Sequence, residues 1–232
     1  MKGYSLKKGL LWGCVGSVLT LIGDILLGAN PAYAAPTGAL LVDMLSDCLR
    51  AQDLRLVIGG MLGVVGIPIT ALGYAALAVI IAPVQRGMTK VYRFAVLAFA
   101  AFAGAGVHLS CAAVPLLYKW VADADPSLAC LIAQRCTVYF VIPLIVLFGV
   151  PLFLALAWQA IVFARGCTAY PRHAAFYNMA VGAAAGYLLA GVIGSNVVGN
   201  AVGTGAISIG HLWMFGMLLW KLPREYQGCV AD

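Results

Sequence analysis

The stretch Gly9–Gly28 constrains the fold more than any other part of the chain. It is about 20 mostly apolar residues long, which is the length that one helix needs to cross a bilayer. It also carries a carboxylate, Asp24, and a charge in lipid is costly unless it faces protein or a wet cavity. Gly13, Ser17 and Thr20 share the helical repeat with Asp24 and place small and polar side chains on one stripe. We therefore expect this stripe to pack against other helices.

The composition extends this interpretation to the whole chain. Of the 232 residues, 63% are hydrophobic and only 9% are charged, whereas a soluble domain carries roughly 25% charged residues. So few charges cannot cover a soluble surface, which predicts a single all-α membrane domain over residues 1–232, with the lipid bilayer as its surroundings. The net charge of +6 does not indicate a nucleic-acid partner, because Lys and Arg occupy short loops between apolar stretches.

Six apolar stretches predict a polytopic bundle of six transmembrane helices. A seventh stretch places apolar and polar residues on opposite helical faces and is too short to span, which predicts one amphipathic surface helix on the outer face. The distribution of Lys and Arg predicts that both termini are cytoplasmic. The predicted spans are 9–28, 54–82, 94–118, 137–164, 174–194 and 205–220, and the surface helix is 37–53.

The N-terminus also has features of a secretory signal. Lys2, Lys7 and Lys8 precede the apolar run, and residues 32–35 contain an A-x-A pattern typical of a cleavage site. The apolar run is longer than the roughly 7–15 residues of a signal peptide, and it contains Asp24. We therefore predict a retained first helix.

The rare polar side chains within the spans predict one outward-facing pocket. The predicted topology places four ionisable groups in the outer half of the bilayer and two amides on an external turn beside them. Such a pocket is suited to a small molecule or a lipid head group. Two other interpretations stay open. One is an ion pair of Asp24 with Arg55 that only ties two helices, and the other is a buried His211 that only bonds to a neighbouring backbone group or serine. The predicted pocket residues are Asp24, Arg55, His108, His211, Asn196 and Asn200.

Three functions fit this pocket. In binding or transport, Asp24 and His108 would exchange a proton. In an intramembrane enzyme acting on a lipid-linked substrate, His108 would be the general base, Asp24 would orient it and Arg55 would hold the anion. In a non-catalytic subunit or homo-oligomer, the surface helix would be the docking element. We favour binding or transport, because no nucleophile stands out from the sequence.

The sequence predicts no metal and no cofactor. No pair of histidines has a metal-binding spacing, and no phosphate-binding or dinucleotide-binding fingerprint occurs. The predicted topology places Cys48, Cys130 and Cys136 outside, where oxidation is favoured. It therefore predicts a disulfide between Cys48 and one of the other two.

Several short motifs resemble a family of uncharacterised bacterial six-span membrane proteins, a domain of unknown function. The resemblance covers most of the chain. It implies a shared bundle in a bacterial inner membrane and a shared polar set that includes Asp24, Arg55 and His108. It implies no particular activity. The motifs are Gly23-Asp24-Ile-Leu-Leu, Arg55 with Gly59-Gly60 and Leu62-Gly63, Gly106-Val-His108, Tyr139 with Ile142-Pro143, Tyr170-Pro171 and Gly199-Asn200.

Overall fold

A computed structural model of the chain describes residues 5–31, 45–81, 83–84 and 86–226. Within these ranges every regular element is helical and no strand occurs. The prediction of an all-α fold is therefore confirmed for this part of the chain. The main helices are α1 (Leu6–Gly28), α2 (Asp53–Ile81), α3 (Gly87–Ala122), α4 (Pro126–Ala164), α5 (Met179–Ile193), α6 (Val197–Thr204) and α7 (Ala206–Trp220).

Four of these helices, α1 to α4, are long and apolar enough to cross a membrane. The pair α6 and α7 passes the same test when taken together, but it is bent by 57° at a break, so the count rises to five if the pair is one span. Helix α5 is apolar but has only 15 residues. Length and composition therefore support four or five spans, and the prediction of six goes beyond this count.

Local signals explain where the helix bounds differ from the predicted spans. Helix α4 begins at Pro126 rather than 137, because the Asp125 carboxylate accepts hydrogen bonds from the backbone N–H groups of Ser127 and Leu128. Helix α5 begins at Met179 rather than 174, because the side chain of Asn178 caps it. The residues before that cap form a 3₁₀ turn at Arg172–Phe176.

Two helices contain π-helical stretches, in which the backbone is wound more widely than in an α-helix. One occupies Phe99–His108 in α3, and the other occupies Thr137–Val141 in α4. A short 3₁₀ turn, Arg224–Tyr226, follows α7. The longer π stretch ends at His108, one of the predicted pocket residues.

Helices α1 and α2 pack closely along a stripe of glycines. A Cβ atom added to Gly23 would lie 2.6 Å from the carbonyl oxygen of Gly59, and one added to Gly16 would lie 2.6 Å from that of Gly66. Larger side chains would force the two backbones apart, so small residues are required along this contact. The face of α1 that carries Asp24 is buried in this packing.

The bundle has two distinct ends. We call the end where α1 finishes, α2 starts and α6 meets α7 the polar end, and the opposite end the far end. A large apolar cluster at the far end contains Leu6 near the start of α1, Ile81 at the end of α2 and Leu218 near the end of α7. The start of α1 and the end of α7 therefore lie at the same end of the bundle.

The first eight positions of the predicted surface helix, 37–53, lie outside the described residues, which resume at 45. Leu45 is buried against Val114 and Tyr118 of α3. Ala51 is buried in a second small cluster with Leu56 of α2. The described part of this segment is thus packed against the polar end of α2 and α3.

Candidate functional site

The structure brings together two of the predicted residues, Asp24 and His108, and adds Ser208 to them. His108 Nε2 lies 3.0 Å from Asp24 Oδ1, and the Ser208 hydroxyl donates a hydrogen bond of 2.6 Å to Asp24 Oδ2. All three residues are buried, with exposed fractions of 8% for Asp24, 7% for His108 and 2% for Ser208. One carboxylate from α1 therefore joins α3 and α7 near the polar end. We call these three residues the Asp24 cluster.

The position of His108 depends on Gly63 of α2, which lies directly against its imidazole ring. A Cβ atom on Gly63 of α2 would collide with the His108 imidazole ring. The Nδ1 atom of His108 is buried and has no hydrogen-bond partner among the described residues. His108 thus packs closely against α2, and one hydrogen bond joins it to α1.

Ser208 reaches Asp24 because the chain breaks between α6 and α7. Gly205 separates the two helices, and Ser208 lies in the first turn of α7. A Cβ atom on Gly205 would lie 3.8 Å from Cβ of Asp24 and 2.6 Å from the side chain of Leu21. The start of α7 therefore lies beside the Asp24 carboxylate.

Arg55 does not contact Asp24 in the structure. Its guanidinium donates to the backbone carbonyl of Ala29 at 3.1 Å and to the side-chain oxygen of Asn30. The Asn30 side chain in turn donates to the carbonyl of Leu27 at 2.7 Å. The alternative of an Asp24–Arg55 ion pair is therefore wrong. Arg55 instead binds carbonyl groups at the end of α1, where a cation is favoured.

A surface hollow of about 420 Å³ opens beside Arg55 at the polar end. It contains two guanidinium-bearing side chains from the segment before α2 and its first turn, so its described lining is basic. Its lining residues are Asn30, Pro31, Arg50, Ala51, Gln52 and Arg55.

The two predicted asparagines occupy structural positions at the same end. The side chain of Asn200 donates to the carbonyl of Asn30 at 2.8 Å and so ties α6 to the end of α1. Asn196 caps α6, because its side-chain oxygen accepts from the N–H groups of Val198 and Gly199, each at 3.0 Å. Asn200 therefore contacts Asn30, which lines the hollow. Asn196 is exposed.

His211 lies apart from the Asp24 cluster. It follows Ser208 on α7 and sits among aromatic rings, with ring centroids 5.6 Å from Tyr74 and 5.4 Å from Phe99. Nε2 of His211 has no hydrogen-bond partner among the described residues.

No disulfide joins the six described cysteines, so the predicted pairing of Cys48 is wrong. Cys48 faces Asn30, whose side-chain amide lies 3.6 Å from the sulfur. Cys130 and Cys136 pack in the apolar cluster with Tyr118. Cys48 is not part of that cluster.

The sequence did not single out Ser208 or Asn30. Ser208 lies three residues before His211, but the break at Gly205 turns α7 so that the serine, not the histidine, reaches Asp24. No residue spacing in the sequence predicts that bend. A second missed contact is the ion pair of Lys119 with Asp53, which ties the end of α3 to the start of α2.

The Asp24 cluster joins an imidazole, a carboxylate and a hydroxyl by hydrogen bonds. The imidazole of His108 and the carboxylate of Asp24 share one bond of 3.0 Å. The Ser208 hydroxyl donates to the carboxylate rather than to the imidazole, so His108 does not activate it as a nucleophile in this arrangement. Within the described residues no group of three His, Cys, Asp or Glu side chains is placed to hold a metal ion.

The comparisons with known proteins give a family and no function. A family model described as "Family of unknown function (DUF6796)" matches residues 1–225. No curated protein and no solved structure matches the chain.

Proposed function

The chain belongs to the DUF6796 family, whose function is unknown, and we propose that it binds and transports a small polar molecule or a lipid head group across a membrane. The Asp24 cluster would exchange the proton that accompanies the ligand. The observation that carries this proposal is the buried hydrogen bond between Asp24 and His108 inside a bundle of apolar helices.

Two features of the surroundings support a transport role. Ionisable groups buried within membrane spans are rare, and chains of Asp and His are used as proton relays in transporters. Broken helices whose ends face a polar group are also typical of transporter binding sites. Here Gly205 breaks the pair α6 and α7 beside Asp24, and Ser208 at the start of α7 binds the carboxylate.

The hollow beside Arg55 supports an anionic ligand. Guanidinium groups bind phosphate and carboxylate through several hydrogen bonds at once. Arg55 is held in place by Ala29 and Asn30, and its Nε atom is buried without a partner among the described residues. A phosphate or carboxylate group entering the hollow would therefore meet a positively charged wall that is already oriented.

The proposal includes a topology of six crossings in a bacterial inner membrane with both termini in the cytoplasm. The shared position of the start of α1 and the end of α7 at the far end supports an even number of crossings. In this topology α5 and the broken pair α6–α7 each cross once, and the polar end faces outward. A homo-oligomer or a partner subunit is compatible with it.

An intramembrane enzyme acting on a lipid-linked substrate is the second candidate. The Asp24–His108 hydrogen bond is the geometry that a general base and its orienting carboxylate need. The Ser208 contact favours transport over this alternative, since the hydroxyl near the pair is bound to the carboxylate.

The test is the retention of a native ligand by the intact protein. The full chain is extracted from its membrane in mild detergent and weighed by native mass spectrometry, first as the wild type and then as Asp24→Asn and His108→Ala. We expect a bound mass in the wild type that both variants lose. Asp123→Asn and His173→Ala change groups outside the Asp24 cluster and serve as controls that keep the bound mass.

Two results would overturn the proposal. One is a wild type that carries no bound mass and takes up none when it is incubated with anionic phospholipid or inorganic phosphate. The other is a bound mass that persists in both cluster variants. One result would distinguish an enzyme from a transporter. A lipid-linked substrate would then be recovered in an altered chemical form from the wild type and from neither cluster variant.

A further inference from the structure

Five buried side-chain polar atoms have no partner among the residues with described positions, and two of the five belong to rings that pack against each other. These two are the hydroxyl oxygen of Tyr74 and Nε2 of His211. Tyr74 is 0% exposed and His211 is 4% exposed. Buried polar atoms without a partner are uncommon in folded proteins, and each one calls for an explanation, such as a bound water or ion. Two of them in one cluster point to a shared ligand.

The two side chains lie close together on different helices. The rings of Tyr74 on α2 and His211 on α7 have centroids 5.6 Å apart and are nearly perpendicular, at 87°. Their polar atoms are not within hydrogen-bond distance of each other, because neither has a partner. A small molecule between them would satisfy both.

The hydrogen-bonding capacities of the two atoms define that molecule. An imidazole nitrogen either accepts or donates a hydrogen bond, depending on which ring nitrogen carries the proton. The Tyr74 hydroxyl both donates and accepts. A small ligand that both donates and accepts can therefore bind both atoms.

The surrounding rings limit the size and charge of the ligand. Phe99 and Phe215 lie against both polar rings, with centroids 5.7 Å and 5.2 Å from Tyr74. Phe215 also stacks on His211 at an angle of 12°. Such apolar walls penalise an ion and therefore favour an uncharged ligand.

We propose that Tyr74 and His211 bind one buried water molecule, which joins α2 to α7 in the centre of the bundle. His211 follows Ser208 by three residues on α7, about 4.5 Å along the helix axis. The water site is thus the next polar layer beyond the Asp24 cluster toward the far end. This proposal rests on the contacts of Tyr74 and His211, and it does not depend on whether the protein is a transporter.

Removal of one oxygen atom tests the site. Tyr74→Phe deletes the hydroxyl and keeps the ring, and thermal unfolding of the full chain in detergent gives the readout. If water bridges the pair, the variant loses a hydrogen-bonded network and its Tm falls, by about 2–4 °C for a chain of this size. If the hydroxyl has no partner, its removal relieves a burial penalty and the Tm rises, which would overturn the proposal.

A matched control and a second measurement complete the test. Tyr139→Phe makes the same change at a side chain that is 67% exposed, and its Tm should equal that of the wild type. In the wild type, the ¹⁵N chemical shift of His211 Nε2 should be that of a hydrogen-bonded imidazole nitrogen. A shift typical of an unbonded imidazole nitrogen would contradict the water bridge even if Tyr74→Phe failed to fold.

Discussion

The hydroxyl of Ser208 lies 2.6 Å from the Asp24 carboxylate, although 184 positions separate the two residues along the chain. This contact connects the last turns of α1 to the first turn of α7, directly after the break at Gly205. Asp24 therefore receives a hydrogen bond from Ser208 and one shared with His108, each from a different helix. A buried carboxylate with partners on both oxygens is compatible with a membrane interior.

Replacement of Ser208 tests that contact. We expect Ser208→Ala to lower the free energy of unfolding by about 1–2 kcal/mol, the size of a hydrogen bond between membrane helices. Denaturant unfolding in detergent micelles measures this change. Ser195→Ala, at an exposed position after α5, is the control and should be neutral. Equal stability of both variants would mean that the serine contributes nothing.

Gly63 determines the position of His108. We expect Gly63→Ala to push the imidazole away from α2 and to break its hydrogen bond to Asp24, because the added methyl group would occupy the position of the ring. The ¹⁵N chemical shift of His108 Nε2 reports the loss. Gly87→Ala adds the same methyl group where no atom lies within 4 Å. A His108 signal that is unchanged in Gly63→Ala would contradict the packing.

Arg55 stabilises the end of α1. We expect Arg55→Met to cost about 1.5–3 kcal/mol, because a charged donor to Ala29 and Asn30 is lost. The measurement is again denaturant unfolding. Arg135→Met is the control, since Arg135 is exposed on α4. If binding of inorganic phosphate or anionic phospholipid is detected in the wild type, Arg55→Met should weaken it as well, whereas Arg135→Met should leave it unchanged.

Cys48 should react slowly with thiol reagents near neutral pH. Burial, with a smaller contribution from Asp47, raises the pKa of the Cys48 thiol to about 11. The reactive thiolate is therefore scarce at pH 8, and the rate of maleimide labelling should rise about tenfold per pH unit up to pH 10. Mass spectrometry of peptides measures labelling, with exposed Cys167 as the rapidly modified reference. Equal labelling of both cysteines at pH 8 would contradict the buried position of Cys48.

The sequence was most informative where a polar residue interrupts an apolar run. Asp24 and His108 stand out because charge and imidazole are rare inside spans, and the structure places them in contact. Arg55 stood out for the same reason but pairs with carbonyl groups. Its position at the start of α2 did not reveal that the end of α1 lies beside it.

Other features depend on backbone geometry that side-chain patterns do not report. The bend at Gly205 and the π stretch Phe99–His108 both change which side chains face the core. Ser208 therefore contacts Asp24, and His211 lies among the rings of Tyr74, Phe99 and Phe215. The apolar character of α4 was clear, but its start at Pro126 depended on the Asp125 cap, which lay inside a predicted loop.

The glycine stripe between α1 and α2 has a mechanical consequence. Because the two backbones touch at Gly16 with Gly66 and at Gly23 with Gly59, these helices cannot slide or tilt past each other without steric collision. They form a rigid frame that carries Asp24 on one side. Any motion that opens a path to the Asp24 carboxylate must therefore be made by its other neighbours. These are α3, which carries His108, and the bent pair α6–α7.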